Sequence, residues 1–175
     1  MRWVQFTLGT LAAMGAAFGF GWYRGNQLPV DHKVVVSARF KCSVDRLWHL
    51  IDDIKTHPTW RPELTSVSLV SQNPDLWEEN YEGTLLRLRT DERVEGEKLV
   101  RVLADMELPY QGSWTYEVAA QGEEASLLTV TEIAHIKNPV FRFVAQGFFG
   151  YEESLKIGIR EMESQLGPVE FIPTP

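Results

Sequence analysis

The sequence predicts an α+β domain in which a bent, seven-stranded antiparallel sheet wraps one long C-terminal helix, behind an N-terminal transmembrane helix. Three observations predict it. Asn138 to Leu166 carries an amphipathic helical pattern, Ser66 to Lys137 alternates like strands broken by turn residues, and Trp3 to Tyr23 contains no charged residue.

In the C-terminal stretch Val144, Phe148, Tyr151, Leu155, Ile159, Met162 and Leu166 recur at steps of three or four and so share one face. Glu152, Glu153, Lys156, Arg160, Glu161 and Glu163 occupy the others, so the apolar stripe must be buried. Pro139 suits a first helical turn, where its missing N–H has no partner to lose, and Gly167-Pro168 supplies a stop. Gly147 and Gly150 fall inside the pattern, where each costs about 1 kcal/mol relative to alanine. A kink or break is expected there.

At 1.5 Å per residue, the uncharged segment Trp3 to Tyr23 would span about 31 Å as a helix, against about 30 Å of hydrocarbon in a bilayer. Trp3, Trp22 and Tyr23 suit the interfaces, Arg2 and Arg24 bracket the segment, and Gly15 and Gly19 form a small-xxx-small pair. A cleaved signal peptide is the rival reading, but no small-x-small cleavage site follows the apolar run. Arg24, Lys33, Arg39 and Lys41 beyond it outnumber Arg2, which leans toward a single-pass protein with its domain on the cytoplasmic side.

The chain then divides into an anchor (1–24), a linker (25–31), a folded domain (32–167) and a tail (168–175). His32 to Cys42 alternates as a half-buried strand, with Val34, Val36, Ala38, Phe40 and Cys42 on one face. Ser43 is placed to cap a helix whose inner face is Leu47, Leu50, Ile51 and Ile54. His57-Pro58 ends that helix, and Thr59 to Leu64 reads as a short helical turn. Six strands follow: Ser66 to Ser71, Trp77 to Tyr81, Thr84 to Val94, Lys98 to Glu107, Ser113 to Ala120 and Ser126 to Lys137. Short loops between successive strands imply antiparallel hairpins.

The net charge of −7 understates the acidity of the folded part: with Arg2 and Arg24 set aside, 17 − 2 = 15 basic residues face 24 acidic ones beyond residue 30, giving −9, and an acidic domain of this kind is a poor partner for nucleic acid. Cys42 is the single cysteine, which excludes an intrachain disulfide and a CxxC site. His32, His49, His57 and His135 lack the spacing of metal ligands on one element, and no GxGxxG, P-loop, HExxH or GxSxG motif occurs. Neither a metal nor a cofactor is expected.

Gly112 and Trp114, then Thr131 and Glu132, then Asn138, Pro139, Arg142 and Phe143 form a Gly-x-Trp strand, a Thr-Glu strand and an Asn-Pro-x-x-Arg-Phe helix start. With Ser43 to Leu50 and Trp60, this order resembles the helix-grip fold of the START-like, or SRPBCC, superfamily and its polyketide cyclase/dehydrase-type members. One departure stands out: many members have glycine two residues past the glutamate, where this chain has Ala134-His135. The resemblance implies a cavity between sheet and final helix, and one fold of this kind hosts binders, carriers and enzymes.

Trp60, Trp114, Tyr116 and Tyr151 are expected pocket walls, joined by Phe148 and Leu155 on the helix stripe. Glu107, Glu117, Glu132, Arg87, Arg101 and His135 lie in strands and could supply a polar or catalytic group. Alternation places Glu117 opposite Trp114 and Tyr116, and Glu132 on the face of Leu128, Val130 and Ala134. The first expectation is a membrane-tethered binder or carrier of a hydrophobic small molecule or lipid. A cyclase or dehydratase acting on an apolar substrate and a ligand-free interaction module at the membrane are the alternatives. Interior shape separates them: an apolar cavity favours binding, convergent ionisable groups favour catalysis, and a filled core favours the module.

Overall fold

The structure, a computed structural model, describes residues 15–173, apart from the side chains of Phe148 and Phe149. A helix α1 over residues 15–26 leads into β1 (Asp31–Phe40), α2 (Val44–Asp52) and a 3-10 turn (Ile54–Thr59). Six strands follow as β2 (Leu64–Gln72), β3 (Asp75–Tyr81), β4 (Thr84–Val94), β5 (Lys98–Leu103), β6 (Tyr110–Ala120) and β7 (Ser126–Ile136). The chain ends with α3 (Pro139–Val144), a π-helical turn (Ala145–Phe149), α4 (Tyr151–Glu161), α5 (Glu163–Leu166) and β8 (Glu170–Ile172).

The antiparallel sheet has the order β2-β3-β4-β5-β6-β7-β1-β8, so it holds eight strands and not the expected seven. The extra strand lies in the segment read as a tail: Phe171 pairs with Ala38 on the free edge of β1. Its three residues stand between Pro168 and Pro173, too few for alternation to register. The alternation of the longer strands holds. Val36, Ala38 and Phe40 of β1, and Leu128, Val130, Ala134 and Ile136 of β7, all point into the core.

Ser43 caps α2 through a hydroxyl that accepts from Arg46 N at 3.4 Å, and Leu47, Trp48 and Ile51 are buried beneath it. The helical turn expected over Thr59 to Leu64 forms earlier, across Ile54–Thr59. Thr56 and Thr59 hydroxyls donate to Asp53 O and Thr56 O there, which satisfies carbonyls the tight turn leaves open. Trp60 and Arg61 emerge just beyond it.

The C-terminal helix is not one rod. Asn138 caps α3, its side chain accepting from Phe141 N at 3.0 Å, with Pro139 in the first turn. The π-helical turn contains Gly147, and Gly150 follows at φ 65°, a conformation only glycine adopts without strain. The helix restarts as α4 with Glu152 and Glu153 in its first turn, where acidic side chains favour the N-terminal dipole. Ile159, Met162 and Leu166 then sit in the core with Phe40, Leu47, Leu99 and Leu128, and Leu155 packs half-buried against them.

The end of α1 is tied to α3. A Cβ on Gly25 would stand 1.7 Å from Pro139 O, so only glycine permits this approach. Buried Arg142 donates to Gly25 O at 3.0 Å, Ile136 O at 2.7 Å and Lys137 O at 2.9 Å. Of the expected anchor (1–24), residues 1–14 lie outside the described residues. Among the described residues no helix is long and apolar enough to cross a membrane.

Ile159 is 2% exposed. Ile159→Asp would bury a carboxylate without a partner, at a cost of several kcal/mol out of a total stability of about 5–15 kcal/mol. A thermal melt followed by circular dichroism should show a large loss of midpoint or no folded state. An unchanged midpoint would mean that this face of α4 does not hold the sheet.

Candidate functional site: a cavity with a charged inner end

Between the concave face of the sheet and the broken helix lies a cavity of about 430 Å³. Its helical wall comes from Gly150, Tyr151, Ser154, Leu155, Gly158 and Ile159, the same three-and-four spacing that gives the stripe. A Cβ on Gly158 would meet nothing within 4 Å, so the missing side chain leaves open space. On the sheet, register aligns Arg101, Trp114 and Glu132 in one cross-strand row, and Gly112, Ala134 and His32 in the next. A Cβ on Gly112 would stand 3.4 Å from the Trp114 ring, in ordinary contact with it.

The inner end is charged. Glu79 on β3 is 1% exposed, and its Oε2 accepts from the Tyr81 hydroxyl at 2.5 Å. Arg61 donates to Tyr81 Oη at 2.6 Å, with Nη1 3.5 Å from Glu79 and Nε 3.7 Å from Glu161. Burial opposes the Arg61 charge, but Tyr81, Glu79, Tyr116 and Glu161 outweigh it and its pKa rises. Burial, reinforced by Glu79, pushes the Tyr81 phenol well above its ordinary value, so it stays protonated and donates. The Arg61–Tyr81–Glu79 chain is thus internally satisfied.

Arg101 and His57 are placed differently. Burial lowers the Arg101 pKa, and its neighbours Tyr116, Glu79, Asp52 and Asp75 do not restore it. Burial, together with Arg61 and Arg101, lowers His57 to about 3, so the ring is neutral at pH 7. Its Nε2 lies 3.1 Å from Ile51 O, and because a carbonyl only accepts, Nε2 carries the hydrogen and Nδ1 is a bare acceptor. Trp60 meets the His57 ring edge-on, with centroids 4.9 Å apart.

Nearer the helix break, His32 stacks on Tyr151 with centroids 3.7 Å apart. His32 Nε2 lies 3.5 Å from Glu132 Oε1, and burial raises the Glu132 pKa despite the opposing pull of His32 and Trp114. A carboxyl and an imidazole therefore face the same cavity. Phe141, stacked on Tyr110 at 5.5 Å, and the exposed Ser154 mark where that cavity meets solvent.

Residues 31–160 match the sequence profile of the family described as polyketide cyclase / dehydrase and lipid transport. The chain belongs to this family. Among solved structures, a START superfamily protein from Mycobacterium smegmatis superposes with a TM-score of 0.63 at 15% identity, covering 77% of this chain and 97% of that one. Norcoclaurine synthase from Thalictrum flavum, in complex with dopamine and hydroxybenzaldehyde, gives 0.60 at 11% identity, covering 77% and 86%. Major latex-like protein 151 from Panax ginseng gives 0.57 at 14% identity, covering 80% and 100%. At such identities these likenesses establish the START-like, helix-grip fold alone. No curated protein matches the chain by sequence.

In this polyketide cyclase/dehydrase-family domain, five of the six residues expected at the pocket line it: Trp60, Trp114, Tyr116, Tyr151 and Leu155. The side chain of Phe148 lies outside the described residues. Of the six ionisable strand residues, Arg101 and Glu132 line the cavity. The other four do not. Glu117 is exposed on the opposite face of β6, Glu107 is exposed in the turn after β5, Arg87 pairs with Glu78 at 3.1 Å, and His135 pairs with Asp31 at 2.6 Å. Sequence reasoning missed Arg61, Glu79, Tyr81, His32 and His57. The alternation of Trp77, Glu79 and Tyr81 along β3 was a signal for Glu79, since an acid flanked by two inward aromatics must share their face.

His57 links the site to acid stability. Between its ordinary 6.5 and its folded value of about 3, the unfolded chain binds a proton that the folded chain does not. The contribution of the neutral ring is whole above pH 6.5 and falls by about 1.4 kcal/mol per pH unit as pH drops toward 3. Urea unfolding at pH 7 and pH 5 should show wild type losing on the order of 2 kcal/mol more than His57→Gln. Equal losses would mean that the ring is solvated.

Proposed function

We propose that the domain binds a hydrophobic small molecule or lipid in the cavity between sheet and helix, tethered to a membrane by residues 3–23. The observation that carries the binding reading is the open space opposite Gly158, at the centre of the helical wall. A volume of this size falls within the ~300–1,000 Å³ of small-molecule sites, and most of its lining is apolar or aromatic. Burying on the order of 300 Å² of ligand surface at about 25 cal/mol per Å² offsets several kcal/mol of the entropic cost of association. The norcoclaurine synthase likeness, with two small aromatic molecules bound, lends support by analogy.

Gly158→Leu tests this. Leucine should enter the cavity and not the packed core, so the melting temperature holds or rises, while an environment-sensitive apolar dye such as Nile red binds at least tenfold more weakly. A variant that binds the dye as wild type does would remove the cavity from the function.

A second reading, a cyclase- or dehydratase-like enzyme on an apolar substrate, draws on the His32–Glu132 pair. A carboxyl with a raised pKa beside an imidazole is the arrangement proton transfer requires. The interaction module with a filled core has no comparable support.

The tether rests on the length and lack of charge of Trp3 to Tyr23. The charge bias around it favours the domain on the cytoplasmic side. Full-length protein should remain with membranes through a high-pH wash, and a chain beginning at residue 24 should be released. Full-length protein that washes off would end the tether reading.

A further inference from the structure

Two arginines of this domain are buried without a carboxylate within ion-pair distance among the described residues, and they differ in one respect. Arg142 is 4% exposed and spends its donors on three carbonyl oxygens at 2.7–3.0 Å, as a structural arginine does. Arg101 is 5% exposed, and its one hydrogen bond is a long 3.5 Å contact from Nη2 to Asp52 O; Nη1 has no partner in the protein. A buried cation left in this condition costs several kcal/mol.

The nearby acids are already engaged. Glu79 accepts from Tyr81 and lies against Arg61, Asp52 pairs with Arg93, and Asp75 accepts from Trp77 Nε1 at 2.7 Å. Trp60 Nε1, a second buried donor lining the same cavity, also has no partner. A cation and an indole N–H are therefore both unspent at the inner end. His57 Nδ1, likewise unpartnered, is an acceptor and adds nothing for an anion.

We propose that the ligand of this cavity is an amphiphile whose anionic head, a carboxylate or equivalent oxyanion, pairs with Arg101 and accepts from Trp60 Nε1 while its apolar body lies along Leu155 and Gly158. This deepens the hydrophobic-ligand reading above and rests on it. Arg101 also borders an outer depression lined by Asp52, Asp75, Asp91 and Glu92 against Lys55, Arg93 and Arg101 itself. Four carboxylates to three cations make that side a poor anion site, which places the head within the main cavity.

The test uses matched pairs: dodecanoate with dodecanol, and naphthalene-2-carboxylate with its methyl ester. Each is titrated against Nile red at pH 7.5 with wild type, Arg101→Met and Arg101→Lys. At least one acid should bind tenfold or more tightly than its neutral partner. Arg101→Met should abolish the preference by weakening the acid alone, and Arg101→Lys should restore part of it. Without ligand, Arg101→Met should melt no lower than wild type, since exchange for an apolar side chain of similar volume removes an unpaired charge.

The acid-to-neutral comparison in wild type needs no variant to fold. Equal binding of acid and neutral forms, or dye binding that no acid displaces, overturns the anionic head and leaves the cavity reading standing. Failure of the dye and all four compounds to bind overturns both. Inhibition by millimolar sulfate with no dependence on the apolar body would place the anion in the outer depression and overturn the proposal.

Discussion

A straight helix cannot follow a strongly bent sheet along its whole length, and the rest of this structure follows from where it is allowed to touch. Contact is made at the C-terminal half, where Ile159, Met162 and Leu166 interlock with β1, α2 and β7 residues of the core. Protein interiors close to crystal-like density wherever side chains can reach. Away from those three side chains they cannot, because Gly150 and Gly158 present no side chain and the π-helical turn re-aims the chain before α4 begins. The cavity is what remains between a helix pinned at one end and a sheet that curves away from it.

Into that space the fold places groups that are costly to bury. Replacing a buried ion pair by apolar residues is often neutral or stabilising, so the Arg61–Tyr81–Glu79 chain is weak as an argument about stability. Its three members are nonetheless held by mutual hydrogen bonds of 2.5–2.6 Å and by Glu161 from the helix side. The helix that leaves the cavity open thus also supplies a charge to one of its walls. Perturbed ionisable groups gathered in one cleft are a feature that functional sites share with structural ion-pair networks. Here they gather at the inner end, while aromatic rings mark the outer edge.

The sheet was legible because alternation reports burial one residue at a time. Val36, Ala38 and Phe40, or Leu128, Val130 and Ala134, announce their face without help from the rest of the chain. The break at Gly150 was legible for a local reason too, since glycine inside a helical pattern has an intrinsic cost. β8 was not, being short, flanked by prolines and held in place by β1 and by the Lys156 and Arg160 cations over the Phe171 ring. The aromatic walls could be read from their strands. The charged end could not, because Arg61 leaves a loop, His57 sits in a 3-10 turn, and Glu79 on β3 is separated from Arg101 on β5 by the whole of β4. Their convergence is a property of sheet curvature, which no single segment encodes.

Arg142 raises a different question, since its Nε and Nη1 donate to carbonyls from two separate places, the end of α1 and the residues at the end of β7. A cation used in this way fixes the relative positions of those segments, and Gly25 permits the approach by lacking a side chain at Pro139. The helix so fixed, α3, also carries Phe141, which stacks on Tyr110 at the edge of the cavity. Phe143 on the same helix meets Phe20 of α1 edge-on at 5.7 Å. A displacement of α1 relative to the sheet must therefore either break the Arg142 contacts or carry α3 and Phe141 with it. The N-terminal segment and the rim of the cavity are thus joined through one six-residue helix, which bears both sets of contacts.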